Sequence, residues 1–229
     1  TVAPVFVTFV ISLTKYNVLE TPVFIGLDNY RRLLLEDDVF AKAVKNTLVF
    51  AIFTGPLGYV LSFLASWAIN ETDRRVRGLL TFVFYLPSMS GTVYTIWNII
   101  FSSDIYGYAN SALIRMHIIT EPIAWFTSET WIMPLIIIVQ LWMSMGISFL
   151  SFIAGMQTVD VSLYEAGMMD GIKNRFQELW YITLPAMVPQ LLFGAIMQII
   201  SAFTVADVSV QLAGLPSTNY AGETIVTHI

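Results

Sequence analysis

Of the chain's 229 residues, 56% are hydrophobic and only 12% charged, with 16 acids against 11 bases and no cysteine. Roughly a quarter of the residues in an ordinary soluble domain are charged, so this composition, with a mean hydropathy of +0.71, excludes one and indicates a polytopic membrane protein. The missing cysteines exclude disulfides, thiolate metal sites and cysteine nucleophiles, and the net charge of −5 comes without any basic tract for nucleic acid.

Thr1 to Thr14 is uncharged but too short to cross a bilayer, which takes about 20 apolar residues. It reads as the outer part of a first span whose beginning lies before this sequence; a signal peptide is the alternative, although neither a basic n-region nor a small-residue cleavage site is visible. Lys15 to Lys45 mixes five bases with five acids and carries Pro22, Gly26 and Asn29, so it reads as a solvent-exposed excursion. Within it, Tyr30, Leu33 and Leu34 have the spacing of a helix lying on the membrane surface. Asn46 to Asn70 is uncharged and predicts a span, softly broken at Thr54-Gly55-Pro56.

Arg74, Arg75 and Arg77 then crowd the short Glu71 to Gly78 connection, the pattern of a cytoplasmic turn. Gly78 to Ser103 predicts the next span, and its centre, Leu86-Pro87-Ser88-Met89-Ser90-Gly91, predicts a kink. Such a kink is tolerated in a membrane only where protein or a water-filled cavity satisfies the freed carbonyls. Asp104 to Thr130 is semi-polar, with Trp125 and Trp131 as an expected interfacial belt. Trp131 to Gly155 predicts one span carrying Gln140, Ser144, Ser148 and Ser151 at helical spacing; Met187 to Ala206 predicts the last complete one, with Gln190, Gln198, Ser201 and Thr204. From Asp207 to Ile229 the chain is polar.

Asp160 to Pro185 is the only long polar stretch between two uncharged runs, so it reads as a loop pressed against the membrane. Val161, Tyr164 and Met168 fall at i, i+3, i+7 and predict a short amphipathic helix whose apolar face rests on the spans. Gly171 stops it. Asn174 and Gln177 have the form of a capping box, and Phe176, Leu179, Trp180 and Thr183 repeat at helical spacing, predicting a second short helix.

Glu165-Ala166-Gly167, Asp170-Gly171 and Ile182-Thr183-Leu184-Pro185 resemble the EAA loop of permease subunits in binding-protein-dependent ATP-binding-cassette importers, carbohydrate-uptake branch. Gly167 stands where that family usually has a second alanine. The order of elements, from GLDNYRRLL through LPSMSG to ETIVTHI, is also similar, so the resemblance covers nearly the whole chain. It implies an all-α transmembrane helical bundle, with residues 1–229 as one permease domain, residues 156–186 as its cytoplasmic coupling loop and a last span beyond Ile229. It also implies a second homologous permease subunit, two cytoplasmic ATP-binding subunits holding ATP and Mg, an extracytoplasmic solute-binding protein, and a place in the plasma membrane of a prokaryote. By the same resemblance Tyr164, Glu165, Ala166, Met169, Asp170, Gly171, Leu184 and Pro185 couple to the ATPase. Counting Lys and Arg does not decide the orientation, with five on the two supposedly cytoplasmic loops against six outside; the orientation follows from the resemblance.

No catalytic constellation survives inspection. His117 and His228 have no carboxylate or histidine at ligand-like sequence spacing, which points to surface roles. The chain has no phosphate-binding G-x-x-x-x-G-K loop, so no ATP or other cofactor is expected on it. No span carries an interior Asp, Glu, Lys or Arg, the group that a proton- or sodium-coupled carrier generally needs. Candidates for lining a sugar path are Tyr85, Ser88, Ser90, Tyr94, Trp97, Asn98, Gln140, Trp142, Ser144, Gln198 and Ser201. For each, interhelical packing is the competing explanation, as a solvated helix face is for Glu165. The whole reading is a carbohydrate importer permease. Against it stand a permease for a non-sugar solute and a membrane scaffold or receptor that docks a soluble partner through the 160–185 loop.

Overall fold

The computed structural model describes every residue except Thr1, Val18 and Glu20, so the start of the predicted first segment and two positions of the excursion lie outside the described residues. About 70% of the chain is helical, with only two two-residue strands among the described residues. A short apolar helix α1 (Val2–Ser12) leads into a two-stranded antiparallel ribbon, β1 (Thr14–Lys15) with β2 (Val23–Phe24), in which Thr14 is paired with Phe24. Helix α2 (Asp28–Leu35) follows, and then α3 (Asp38–Asn70), α4 (Arg74–Met89), α5 (Val93–Ile100) and α6 (Tyr108–Arg115). Helices α7 (Ile132–Met143) and α8 (Ile147–Thr158) precede α9 (Val161–Met169) and α10 (Arg175–Glu178). A π-helical turn at Leu179–Thr183 joins α10 to α11 (Leu184–Ala186), which α12 (Val188–Phe203) follows; α13 (Asp207–Ala213), a 3₁₀ turn at Thr218–Tyr220 and α14 (Ile225–His228) complete the chain.

Three helical stretches, Asp38–Asn70, Ile132–Thr158 and Val188–Ala213, are long and apolar enough to cross a membrane. Their packing inverts the pattern of a soluble bundle. On α3 the buried positions Ala43, Thr47, Ala51, Thr54, Gly58, Ser62 and Ser66 recur every three or four residues, which makes one small, hydroxyl-bearing stripe. Leu48, Ile52, Leu57, Leu61 and Leu64 point outward. Lipid is as apolar as leucine, so such helices associate through close approach and hydrogen bonds rather than through hydrophobic burial. Ser62 donates to Ser144 O at 2.9 Å, Ser66 to Phe149 O at 3.1 Å, Ser148 to Gly194 O at 3.1 Å and Tyr59 to Leu191 O at 3.2 Å. These bonds hold α3, α8 and α12 together. Between them lie Phe63, Phe152, Met156, Leu179 and Met187 in one apolar cluster; Phe50, Tyr94, Ile132, Ile136, Val139, Val205, Val208 and Leu212 form another.

Several expectations need correction. Helix α3 runs unbroken through Thr54-Gly55-Pro56. The span predicted over Trp131 to Gly155 is present as Ile132–Thr158 but carries a local break at Ser144-Met145-Gly146, where the Ser144 carbonyl accepts from both Gly146 N and the Ser62 hydroxyl at 2.9 Å. The kink expected near Pro87 is a bend of 82° between α4 and α5, so the two helices are not one straight span. Trp125 is buried within the protein, its ring edge-on to Trp131 at 5.3 Å and its indole N–H donating to Asn110. His228 sits between two carboxylates, 3.0 Å from Asp37 Oδ2 and 3.6 Å from Glu223 Oε1, and is largely buried. Asp37 is remote in sequence and meets His228 only because α14 folds back on the start of α3, whereas Glu223 lies five residues before it.

Candidate functional site

Helix α9 starts at Asp160, whose carboxylate accepts from Ser162 N at 2.9 Å. That backbone N–H, with the Ser162 hydroxyl, holds the Asp160 carboxyl below its ordinary value. The helix stops at Gly171, whose φ of +94° favours glycine because it has no Cβ. Asn174 Oδ1 then accepts from Gln177 N at 2.9 Å and caps α10, while the Gln177 side chain accepts from Lys173 N at 2.8 Å. Arg175 ties this second helix down, with Nη1 2.7 Å from Glu178 Oε2 and Nε 3.3 Å from Glu71 Oε2 on the turn before α4. Its guanidinium pKa is raised by the Glu178 bond first and the Glu71 charge second.

The face of α9 turned to the spans is not the predicted one. Val161 and Met168 are exposed, whereas Tyr164 is half-buried and Gly167 buried. Gly167 explains the choice of face. A Cβ there would lie 2.7 Å from Ile182 Cδ1 and 3.0 Å from Ile172 Cδ1, so a side chain at this position would have to displace both methyl ends for the helix to lie this close. Tyr164 Oη and Thr183 Oγ1 are 2.9 Å apart. Glu165, Ala166, Met169 and Asp170 all project away from the bundle, and Glu165 makes no hydrogen bond or ion pair among the described residues. Ala166, Asp170 and Pro185 border a groove that also includes Ile182, while Leu184 packs beside Met187.

A second feature lies within the bundle, where α4, the α7–α8 break and α12 enclose a pocket of about 330 Å³. Six of the candidate path residues, Tyr85, Ser88, Gln140, Ser144, Gln198 and Ser201, line it. The remaining wall is Met143, Gly146, Ile147, Ser148 and Met197, so no Asp, Glu, His, Lys or Arg is among its lining residues. Gln198 Nε2 donates to Thr54 O at 3.2 Å. Ser90 is outside the pocket, its hydroxyl 2.6 Å from Thr92 Oγ1. Tyr94 is in the apolar core, Asn98 is exposed on α5, and Trp97 stacks on Phe101 at 5.7 Å and edge-on to Trp142 at 5.4 Å. Neither these four nor Trp142 is brought to the pocket.

Sequence reasoning did not find Ser148 and Met197 in the pocket wall, nor a polar cleft of about 490 Å³ between the Glu71-Thr72-Asp73 turn, α9 and α10. Ser148 does lie on the Gln140-Ser144-Ser148 row. The cleft depends on chain crossings that no local pattern encodes.

Residues 55–221 match the family described as binding-protein-dependent transport system inner membrane component. The probable ABC transporter permease protein YesP of Bacillus subtilis is 32% identical over 206 residues, covering 89% of this chain and 65% of that relative. The lactose transport system permease protein LacF of Rhizobium radiobacter is 31% identical over 186 residues, covering 80% of this chain and 61% of LacF. The chain thus spans a little under two thirds of the length of these two relatives. In a crystal structure of a bacterial alginate ABC transporter complexed with an alginate pentasaccharide-bound periplasmic protein, one chain superposes with a TM-score of 0.76 at 25% identity, covering 89% of this chain and 70% of that one. The long apolar helices, the fold and the matched residues agree, and this membrane protein belongs to the binding-protein-dependent transport system inner membrane component family.

Proposed function

We propose that the chain is a transmembrane subunit of an ATP-driven importer for a carbohydrate of oligosaccharide type. On this reading a second permease completes the path, a binding protein delivers the solute from outside, and two separate subunits hydrolyse ATP against the α9 loop. The loop and the turn at Glu71 to Gly78 face the cytoplasm of a prokaryotic cell, with α2 and the Asp104 to Thr130 segment outside. The pocket walled by α4, the α7–α8 break and α12 carries the proposal. Its size falls within the range of about 300–1,000 Å³ typical of small-molecule sites. Its hydroxyls and amides suit a solute that offers many hydroxyls and no charge, because an ionised group enclosed there without a counter-charge would bear a large desolvation cost. The names of similar proteins, which include lactose and arabinooligosaccharide transport permeases, support the same class.

Reconstitution of the complete complex with its binding protein tests this. Neutral oligosaccharides, offered beside amino acids and inorganic anions, are expected to be the solutes that stimulate ATP hydrolysis and accumulate in vesicles. Stimulation by a non-carbohydrate alone would overturn the substrate class, and ATP hydrolysis indifferent to every solute would favour a docking scaffold.

A further inference from the structure

We infer that the Tyr164 hydroxyl is the link by which movement of α9 reaches α12, with Tyr164 a positioning residue for the solute pocket; this rests on the importer reading above. The α9 helix has a narrow footing. Apart from Tyr164 and the buried Gly167, its residues from Val161 to Met169 are exposed, and the open polar cleft separates it from the turn before α4. Its side-chain hydrogen bond to the segment that feeds α12 is Tyr164 to Thr183.

Either hydroxyl can donate in that bond, and Thr183 Oγ1 also lies 3.3 Å from Glu178 O, so the pair is tied to the backbone of the same turn. Thr183 is 5% exposed and closes the π-helical turn Leu179–Thr183, where Leu184 N bonds to Leu179 O. A π turn holds one residue more than the α-helical register allows, and such turns occur mostly at functional sites. The Tyr164 bond therefore ends on a backbone that has a second register available, the α-helical one. From Thr183 the chain continues through α11 and the fully buried Met187 into α12, whose Gln198, about 15 Å along from Val188 at 1.5 Å per residue, walls the pocket with Ser201. A push on α9 is applied just ahead of α12, and the pocket wall lies further along that helix.

These 229 residues contain no cysteine, so once any cysteines elsewhere in the assembly are replaced, spin labels report from chosen sites in the complex in lipid nanodiscs. Labels at Ser162→Cys and at Ile196→Cys are each paired with one at Ala112→Cys on α6, and both distances are measured with and without vanadate-trapped MgATP. In the parental complex both distances are expected to shift. In Tyr164→Phe, and in Thr183→Val, the α9 shift is expected to persist while the α12 shift is lost; Thr183→Ser, which keeps the hydroxyl, is expected to restore it. Equal α12 shifts in Tyr164→Phe and parental complexes would overturn the link while leaving the importer reading intact. Loss of both shifts in Tyr164→Phe would make the residue a docking contact and also overturn it. Absence of any shift in the parental complex would remove the importer reading itself.

Discussion

Gln198 on α12 reaches the carbonyl of Thr54 on α3 because the residue one turn further along α3 is Gly58. A Cβ at Gly58 would collide with the Gln198 amide and stand 3.1 Å from Ser144 Cβ. Gly58→Ala is therefore expected to break the Gln198 bond, to force two pocket walls apart and to cost about 1–3 kcal/mol. The measurements are the apparent melting temperature in detergent and solute uptake, and both should fall. Gln198→Ala in the Gly58→Ala background should restore part of the melting temperature, because it removes the colliding group.

Two serines near the bend between α4 and α5 separate solute contact from local structure. Ser88 lines the pocket, while the Ser90 hydroxyl bonds to Thr92 at the bend. Ser88→Leu is expected to abolish uptake with assembly intact, whereas Ser90→Leu should leave uptake within about twofold of the parental rate, since substitutions away from special features usually cost under about 0.5 kcal/mol. Equal losses in both variants would show that the bend, not the pocket wall, governs uptake.

The loop around Asn110 holds by one buried side chain. Its Nδ2 is shared among Ser102 O, Asp104 O and Ile123 O at 3.0–3.3 Å, and its Oδ1 accepts from Ile123 N at 3.1 Å and Trp125 Nε1 at 2.9 Å. Asn110→Ala leaves these groups buried without partners, at an expected cost of about 2–4 kcal/mol. Asn110→Asp should be at least as harmful, because an oxygen would then face three carbonyls. Apparent melting temperatures of the two variants check this order.

What was legible in the chain was what its own neighbours determine. The Gly171 stop and the Asn174 cap are local chemistry, and the charge-free runs announce spans. The Ser144-Met145-Gly146 break falls within an uncharged run, and one donor to its Ser144 carbonyl, the Ser62 hydroxyl, is 82 residues away. Tyr94 reads as a path residue only until Phe50 and Val205 enclose it. The face of α9 was misjudged because apolarity pointed to Val161 and Met168, while close approach selected Gly167. Asn110 and His228 are likewise organised by partners that periodicity does not reveal.

The His228 cluster gives a pH dependence with a definite sign. Asp37 caps α3, and its carboxyl is held below the usual value, first by the Phe40 backbone N–H at 2.9 Å and next by His228 at 3.0 Å. Glu223 faces the other ring nitrogen of His228. Because the folded-state value is depressed, the stabilisation from ionised Asp37 is fully present above an ordinary carboxyl pKa of about 3.9. It is lost as pH falls through the lower folded value. Asp37→Asn keeps a capping oxygen but removes the charge, so the melting-temperature gap between parental and variant chains should be widest above about pH 5 and close towards pH 3. A gap that stays constant through that range would show that the carboxylate charge contributes nothing.

Glu165 and Gly171 separate docking from folding. Glu165 is exposed and unpaired among the described residues, so Glu165→Ala should leave the apparent melting temperature unchanged; exposed sites of this kind usually stay within about 0.5 kcal/mol. A charge-assisted contact to a partner is worth about 1.5–3 kcal/mol, so the same substitution should weaken binding of the ATP-hydrolysing subunits on the order of tenfold to a hundredfold. At Gly171 there is free space for a methyl group but the φ of +94° is unfavourable for it, so Gly171→Ala should act through the backbone alone, at about 1–2 kcal/mol. Relieving that strain re-aims α9, and both variants should lose solute-stimulated ATP hydrolysis together with uptake, while solute binding by the external protein stays the same. Parental rates of hydrolysis and uptake in both would mean that this loop does not carry the coupling.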